Sequence, residues 1–148
     1  TMQSLIDVLQ DPTRSQAVVR DVETLVDQQV KKQRGASGFA IKGGYKIVSQ
    51  LRGGNMISAA VNALIDDFAE AIEPLHAEYR ESDESSFSGF LKNRDQQAAN
   101  ALLGITDERI DGASSVVAKT YRRLRPMAKK QVAAAAPDIG AVVERHTS

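Results

Sequence analysis

The chain has 148 residues, no net charge at pH 7, no cysteine and no tryptophan. That length suits one domain that buries roughly two-thirds of its unfolded surface. Without cysteine there is no disulfide, no thiolate nucleophile and no cysteine-held metal, a composition that fits a reducing, cytoplasmic setting.

The opening TMQSLIDVLQ has neither a basic head nor a long apolar run, so no signal peptide is expected. Thr1 ahead of Met2 reads as an expression remnant. No apolar stretch approaches the ~20 residues that span a bilayer. Asp11-Pro12 reads as a helix start, with Asp as the cap and Pro at the first helical position, where its missing N–H costs nothing. Val18, Val22, Leu25, Val26 and Val30 then recur at three-to-four spacing. Lys31, Lys32 and Arg34 crowd the expected last turn, where cations suit the helix dipole, and Gly35 ends it.

Six of the ten glycines fall between Gly35 and Gly54, beside Lys42, Lys46 and Arg52. Phe39, Ile41, Tyr45, Ile47 and Val48 around Gly43-Gly44 fit a short hairpin near 39–48. Equally, Ile41, Tyr45, Val48 and Arg52 share one helical face. A helix here carries interior glycines at ~1 kcal/mol each relative to Ala, so it needs a neighbour crossing closely over Gly43 or Gly44.

Asn55 is placed to cap the next helix, whose stripe of Ile57, Val61, Leu64, Ile65, Phe68, Ile72 and Leu75 is the strongest amphipathic pattern in the chain. Pro74 predicts a kink or restart there. Residues 81–86 (ESDESS) read as a solvent loop. Phe87, Phe90 and Leu91 predict a short helix, and 94–104 another. Thr106-Asp-Glu-Arg predicts a further short piece, broken by Gly112. Ser114 or Ser115 caps a helix carrying Val116, Val117, Tyr121 and Leu124, and Pro126 and Pro137 predict restarts near 126 and 138. The sum is an all-α single domain over 1–148, an irregular bundle of about six to eight helices with a core of Ala, Val, Ile and Leu.

Charge is segregated along the chain. Gln28–Ile65 holds six basic residues and no acid, Asp66–Glu84 holds eight acids against Arg80, and Gly112–Pro137 holds six basic residues and no acid. Such blocks either cancel one another in the fold or converge on an anion. In the second case Tyr121, Arg122, Arg123 and Arg125 supply cations beside a ring, the combination nucleic-acid sites use. The near-neutral pI and the few aromatics weigh against that reading.

Other chemistries find little support. Glu73-x-x-His76 is half of a di-iron motif, but no second pair exists, and a solvated His76 on an acidic helix is expected. No Walker or dinucleotide-binding glycine spacing occurs, and the GxxG of Gly35–Gly38 lacks a recognisable KH surround. No serine sits in a GxSxG context. Asp66, Asp67 and Glu70 could polarise a proton or hold Mg²⁺, though such a stripe commonly just faces water. No cofactor is called for.

The segments GFAIKGGYKIV, NALIDDFAEAIEPL, YRRLRPMAKKQV and VVERH, in that order, resemble an actinobacterial family of uncharacterised proteins, the domain of unknown function DUF6918. The likeness runs from about Val26 to His146 and implies a cytoplasmic, all-helical single domain in which 39–51 leans helical. It draws attention to Lys42, Gly43, Tyr45, Arg125, Pro126 and His146, and carries no mechanism. The expected function is therefore a non-enzymatic helical domain that associates with itself or with a protein partner. The alternative is a module binding nucleic acid, a phosphorylated ligand or acidic lipid through the blocks 28–65 and 112–137, with Lys42, Gly43, Tyr45, Lys46, Tyr121, Arg122, Arg123, Arg125 and His146 as candidate contacts. An enzyme built on Asp66, Asp67 and Glu70 ranks third.

Overall fold

A computed structural model describes residues 3–32 and 35–148. Thr1 and Arg34 lie outside these, as does the side chain of Arg52. Among the described residues every regular element is helical: α1 (Leu5–Val8), α2 (Pro12–Lys31), α3 (Gly35–Ser49), α4 (Met56–Arg80), α5 (Phe87–Lys92), α6 (Asp95–Arg109), α7 (Ser115–Ala134) and α8 (Ala136–Thr147), with short 3-10 turns after α3 and α6.

Capping explains several of the boundaries. The Asp11 carboxylate accepts from the Thr13 N–H, Ser86 accepts from Gly89 and Ser114 accepts from Val117, each satisfying an amide that the helix leaves unpaired. Asn55 sits at the start of α4 but makes no side-chain cap bond, so the expected cap is only positional.

Long α4 forms the spine. Its inward stripe of Val61, Ile65, Ala69, Ile72, Leu75 and Tyr79 meets Leu5 and Val8 of α1, Val18 and Val19 of α2, Phe87, Phe90 and Leu91 of α5, and Ala136 and Val143 of α8. Of all helix pairs, α5 and α8 share the most extensive contact. Gly140 makes that possible: a Cβ there would lie 2.7 Å from the Ser88 Cα and 2.8 Å from the Phe87 carbonyl oxygen.

The segment 39–48 is helix, not hairpin. The contact that offsets its glycines lies at Gly44, where a Cβ would come within 2.3 Å of a Leu124 methyl on α7. Gly43 has open space beside it and is no contact position. Gly35 at φ +75° and Gly53 and Gly54 at φ +66° and +94° bracket α3 with left-handed backbone that branched residues resist.

Neither Pro74 nor Pro126 restarts a helix, and one reason serves both. Pro74 and Pro126 lie inside α4 and α7, which run through them. Both prolines are exposed, and the residues four earlier, Glu70 and Arg122, are exposed too, so the carbonyls that lose their partners lie on the wet side. Ile72, Leu75 and His76, all buried, anchor α4 in the core on either side of the interruption. Likewise 106–109 is the last turn of α6 rather than a separate piece.

Candidate functional site

Phe39, Lys42 and Lys46 recur at three-to-four spacing along one face of α3, the face opposite Gly44. Phe39 is 82% exposed, the most exposed large apolar side chain among the described residues, and Ile47 nearby is 45% exposed. Lys42, Gly43 and Lys46 are exposed, and the two lysines make no ion pair among the described residues. Tyr45 turns inward instead. Burial pushes its hydroxyl pKa up, and the Asp27 carboxylate of α2 adds to the shift.

The basic block of α7 behaves differently. Arg125 forks onto Asp107 of α6, with Nε 2.8 Å from Oδ1 and the terminal nitrogen 2.7 Å from Oδ2. The Tyr121 hydroxyl donates to the same carboxylate at 2.5 Å. These bonds, Arg125 first, hold the Asp107 pKa down to about 2. Arg122 pairs with Asp111 at 3.5 Å, with both side chains largely exposed. Arg123 is exposed and has no ion pair among the described residues. The partners of α7 thus come from the end of α6 and the turn after it, not from α4. On α4, Asp67 pairs with Arg109 and Glu73 with Arg80, while Asp66 and Glu70 stay exposed and without ion pairs among the described residues.

His146 sits apart from both surfaces. Its Nε2 lies 2.6 Å from the Asp21 carboxylate, which also receives Arg145 at 2.9 Å. Burial alone would raise the Asp21 pKa, but the bonds from His146 and Arg145 outweigh it and the net shift is downward. This cluster ties the chain's last helix to α2.

His76 overturns its expectation: it is fully buried, not solvated. Arg80 donates to its Nδ1 at 2.6 Å and to Glu73 at 2.6 Å, all within two turns of α4. A guanidinium only donates, so the ring proton sits on Nε2. That nitrogen and the second Glu73 oxygen are buried without hydrogen-bond partners. Burial, then the Arg80 charge, lowers the His76 pKa. Among the described residues no group of three or more His, Asp or Glu is placed to hold a metal ion.

Sequence reasoning missed one further feature. A cavity of about 260 Å³ lies among α1, α2, α4, α6, α7 and α8, with a wholly apolar wall of aliphatic side chains, Phe68 and the carbon atoms of Thr106. Of the candidates chosen from sequence, Tyr121 touches its edge through Thr106, at 2.8 Å.

No helix among the described residues is long and apolar enough to cross a membrane. No curated protein and no solved structure matches the chain. The model of a family of unknown function, DUF6918, matches residues 5–147, and with nearly the whole chain covered the protein belongs to that family.

Proposed function

We propose that the chain is a non-enzymatic helical domain that associates with a second copy of itself, through the outer face of α3 set against the outer face of α4. The observation that carries this reading is Phe39, 82% exposed on the same face as Lys42 and Lys46, on a segment without an acid. The complementary surface is present on the same molecule. Asp66 and Glu70 stand one turn apart on α4 and are exposed. An isologous pair would set each α3 on the partner's α4 and satisfy both sets of charges twice. The cytoplasm is the compartment we assign, in keeping with a chain that lacks cysteine.

Sedimentation equilibrium at micromolar concentration tests the pairing. Dimers are expected at low salt and monomers at high salt, because exposed charge pairs are screened. Lys42→Glu with Lys46→Glu should abolish the dimer, and adding Asp66→Lys with Glu70→Lys should restore it. A monomer under every condition would remove the proposal.

A second reading keeps the anion-binding alternative, because Lys42, Lys46 and Arg123 are exposed cations without ion pairs among the described residues, on the packed helices α3 and α7. Arg122 and Arg125 are already engaged by Asp111 and Asp107, which leaves that surface thin. Titration with a polyanion separates the two readings. Affinity that survives physiological ionic strength favours the anion module.

A further inference from the structure

The space of about 260 Å³ among six helices is graded from a closed end to an open one. Val18, Ile72 and Val143 line it and are buried, whereas Leu25, Val26 and Val132 line it and are only half-buried. Val18 and Val26 both belong to α2, so the space runs ~12 Å along that helix. Over such a length the volume gives a section of ~20 Å², far narrower than a docking helix at ~10–12 Å across. Scaled from an engineered apolar cavity of about 150 Å³ that holds benzene, the volume admits about ten carbon atoms.

No polar atom lies on the wall. Water that enters from the open end therefore finds none of the partners it needs. Aliphatic atoms that face such a gap forfeit dispersion contacts, and an apolar chain that fills it restores them. A polar head group would lose its hydration on this wall and gain no hydrogen bond, so it stays outside, beyond Leu25, Val26 and Val132. We propose that the cavity is a binding site for the unbranched alkyl chain of a single-chain amphiphile, with about ten carbons between the helices and the head group in water. The narrow section selects the chain, the volume its length, and the open end leaves the head unread.

The test uses the full chain and the hexyl, octyl, decyl and dodecyl maltosides, each below its micelle concentration, by titration calorimetry and by melting followed with circular dichroism. One molecule should bind per chain and raise the melting temperature, as any ligand selective for the folded state does. Affinity should rise about fourfold per added methylene up to decyl, the effect of burying one such group, and level off at dodecyl, whose extra carbons stay in water. Decyl sulfate and decyl trimethylammonium, at high salt, should bind within about threefold of each other, because screened heads in water meet no partner. Val132→Phe narrows the open end and should cut decyl maltoside affinity at least about tenfold while leaving the helical spectrum intact. Should that variant unfold, Val22→Phe fills the same space from another helix. No heat and no melting shift with any of the four maltosides would overturn the site. Affinity that climbs unbroken through dodecyl, or that is equal for parent and filled chains, would overturn it too, because it would show adsorption onto the outer surface. A tenfold or larger preference for one head charge at high salt would place the contact at the head and overturn the assignment to the chain.

Discussion

The junction of α5 with α8 and the junction of α3 with α7 both depend on a glycine, yet they are built to different standards. Beside the first, α5 also meets α4, where His76, Tyr79, Phe87 and Phe90 pack ring against ring, with centroids 4.8 to 6.0 Å apart, and the Arg94 guanidinium lies 3.7 Å over the Phe90 ring. At the second, α3 contributes nothing to the main core cluster, and its one ring on the outer face points to solvent. Four of the chain's seven Phe and Tyr residues fall between 79 and 121, and three of those four close one end of the bundle. Valine, leucine and isoleucine line the cavity, with Phe68 as its one ring. Rings pack one part of this core tightly, whereas branched aliphatic side chains leave a cavity in another.

The contrast breaks first at Phe87, which is fully buried and touches His76, Tyr79 and Phe90. Phe87→Ala should cost about 3–5 kcal/mol in urea unfolding, through lost burial plus the cavity left behind. A cost below about 1 kcal/mol would mean that this end is no better packed than the α3 side.

Glycine substitution sharpens the comparison. At Gly140 a methyl group meets backbone atoms of Phe87 and Ser88, which cannot swing aside, so Gly140→Ala should cost about 1–3 kcal/mol. At Gly44 the methyl group meets the end of the Leu124 side chain, which can rotate away. Gly44→Ala should therefore destabilise less than Gly140→Ala, although Gly44→Val should still exceed the ~1 kcal/mol scale of helix propensity. Equal losses for the two alanine variants, measured by chemical denaturation, would erase the distinction.

The ring-packed end also carries a pH dependence. His76 faces Arg80 and Glu73 on its own helix and Glu144 from α8, and its pKa in the fold lies below the ordinary 6.5. Below about pH 6.5 the unfolded chain then binds a proton that the folded chain does not, so stability falls as the pH drops. Above that value His76 contributes no slope. Between about pH 7 and 5.5 the parent should lose stability and His76→Leu should lose less. Parallel curves would place the titration elsewhere.

Much of this fold was legible locally. Asp11-Pro12, Ser114 and the apolar stripe of α4 each fix an element from a few neighbouring residues, through caps and periodicity. What escaped depends on residues distant in sequence. Pro74 and Pro126 read as helix starts because their cost is local, whereas the packing that lets each helix continue comes from other elements. His76 read as solvated because its helix is acidic, but Phe87, eleven positions on, covers it. Gly140 carried no signal, since its reason lies in the backbone of α5. Of the candidate contacts, Lys42 and Lys46 were chosen for their charge, and Tyr121 and Arg125 for their neighbourhood. The cavity beside Tyr121 exists only once six helices enclose it, and no short stretch of sequence encodes that.

The smallest expected effect on stability lies on the open face of α3. Phe39→Ser removes a large ring, yet 82% of that residue already faces water, so burial lost on substitution is slight. The change in unfolding free energy should stay within about 0.5 kcal/mol, the range of surface substitutions that touch no buried group. The same variant should still shift the sedimentation profile toward monomer, because an exposed phenylalanine gains burial only at an interface. The pairing of the two outcomes is what matters. A structural ring lowers stability and leaves association alone, whereas a contact ring does the reverse. If Phe39→Ser unfolds the chain more readily by 1 kcal/mol or so, the ring belongs to the core and α3 is not the contact surface.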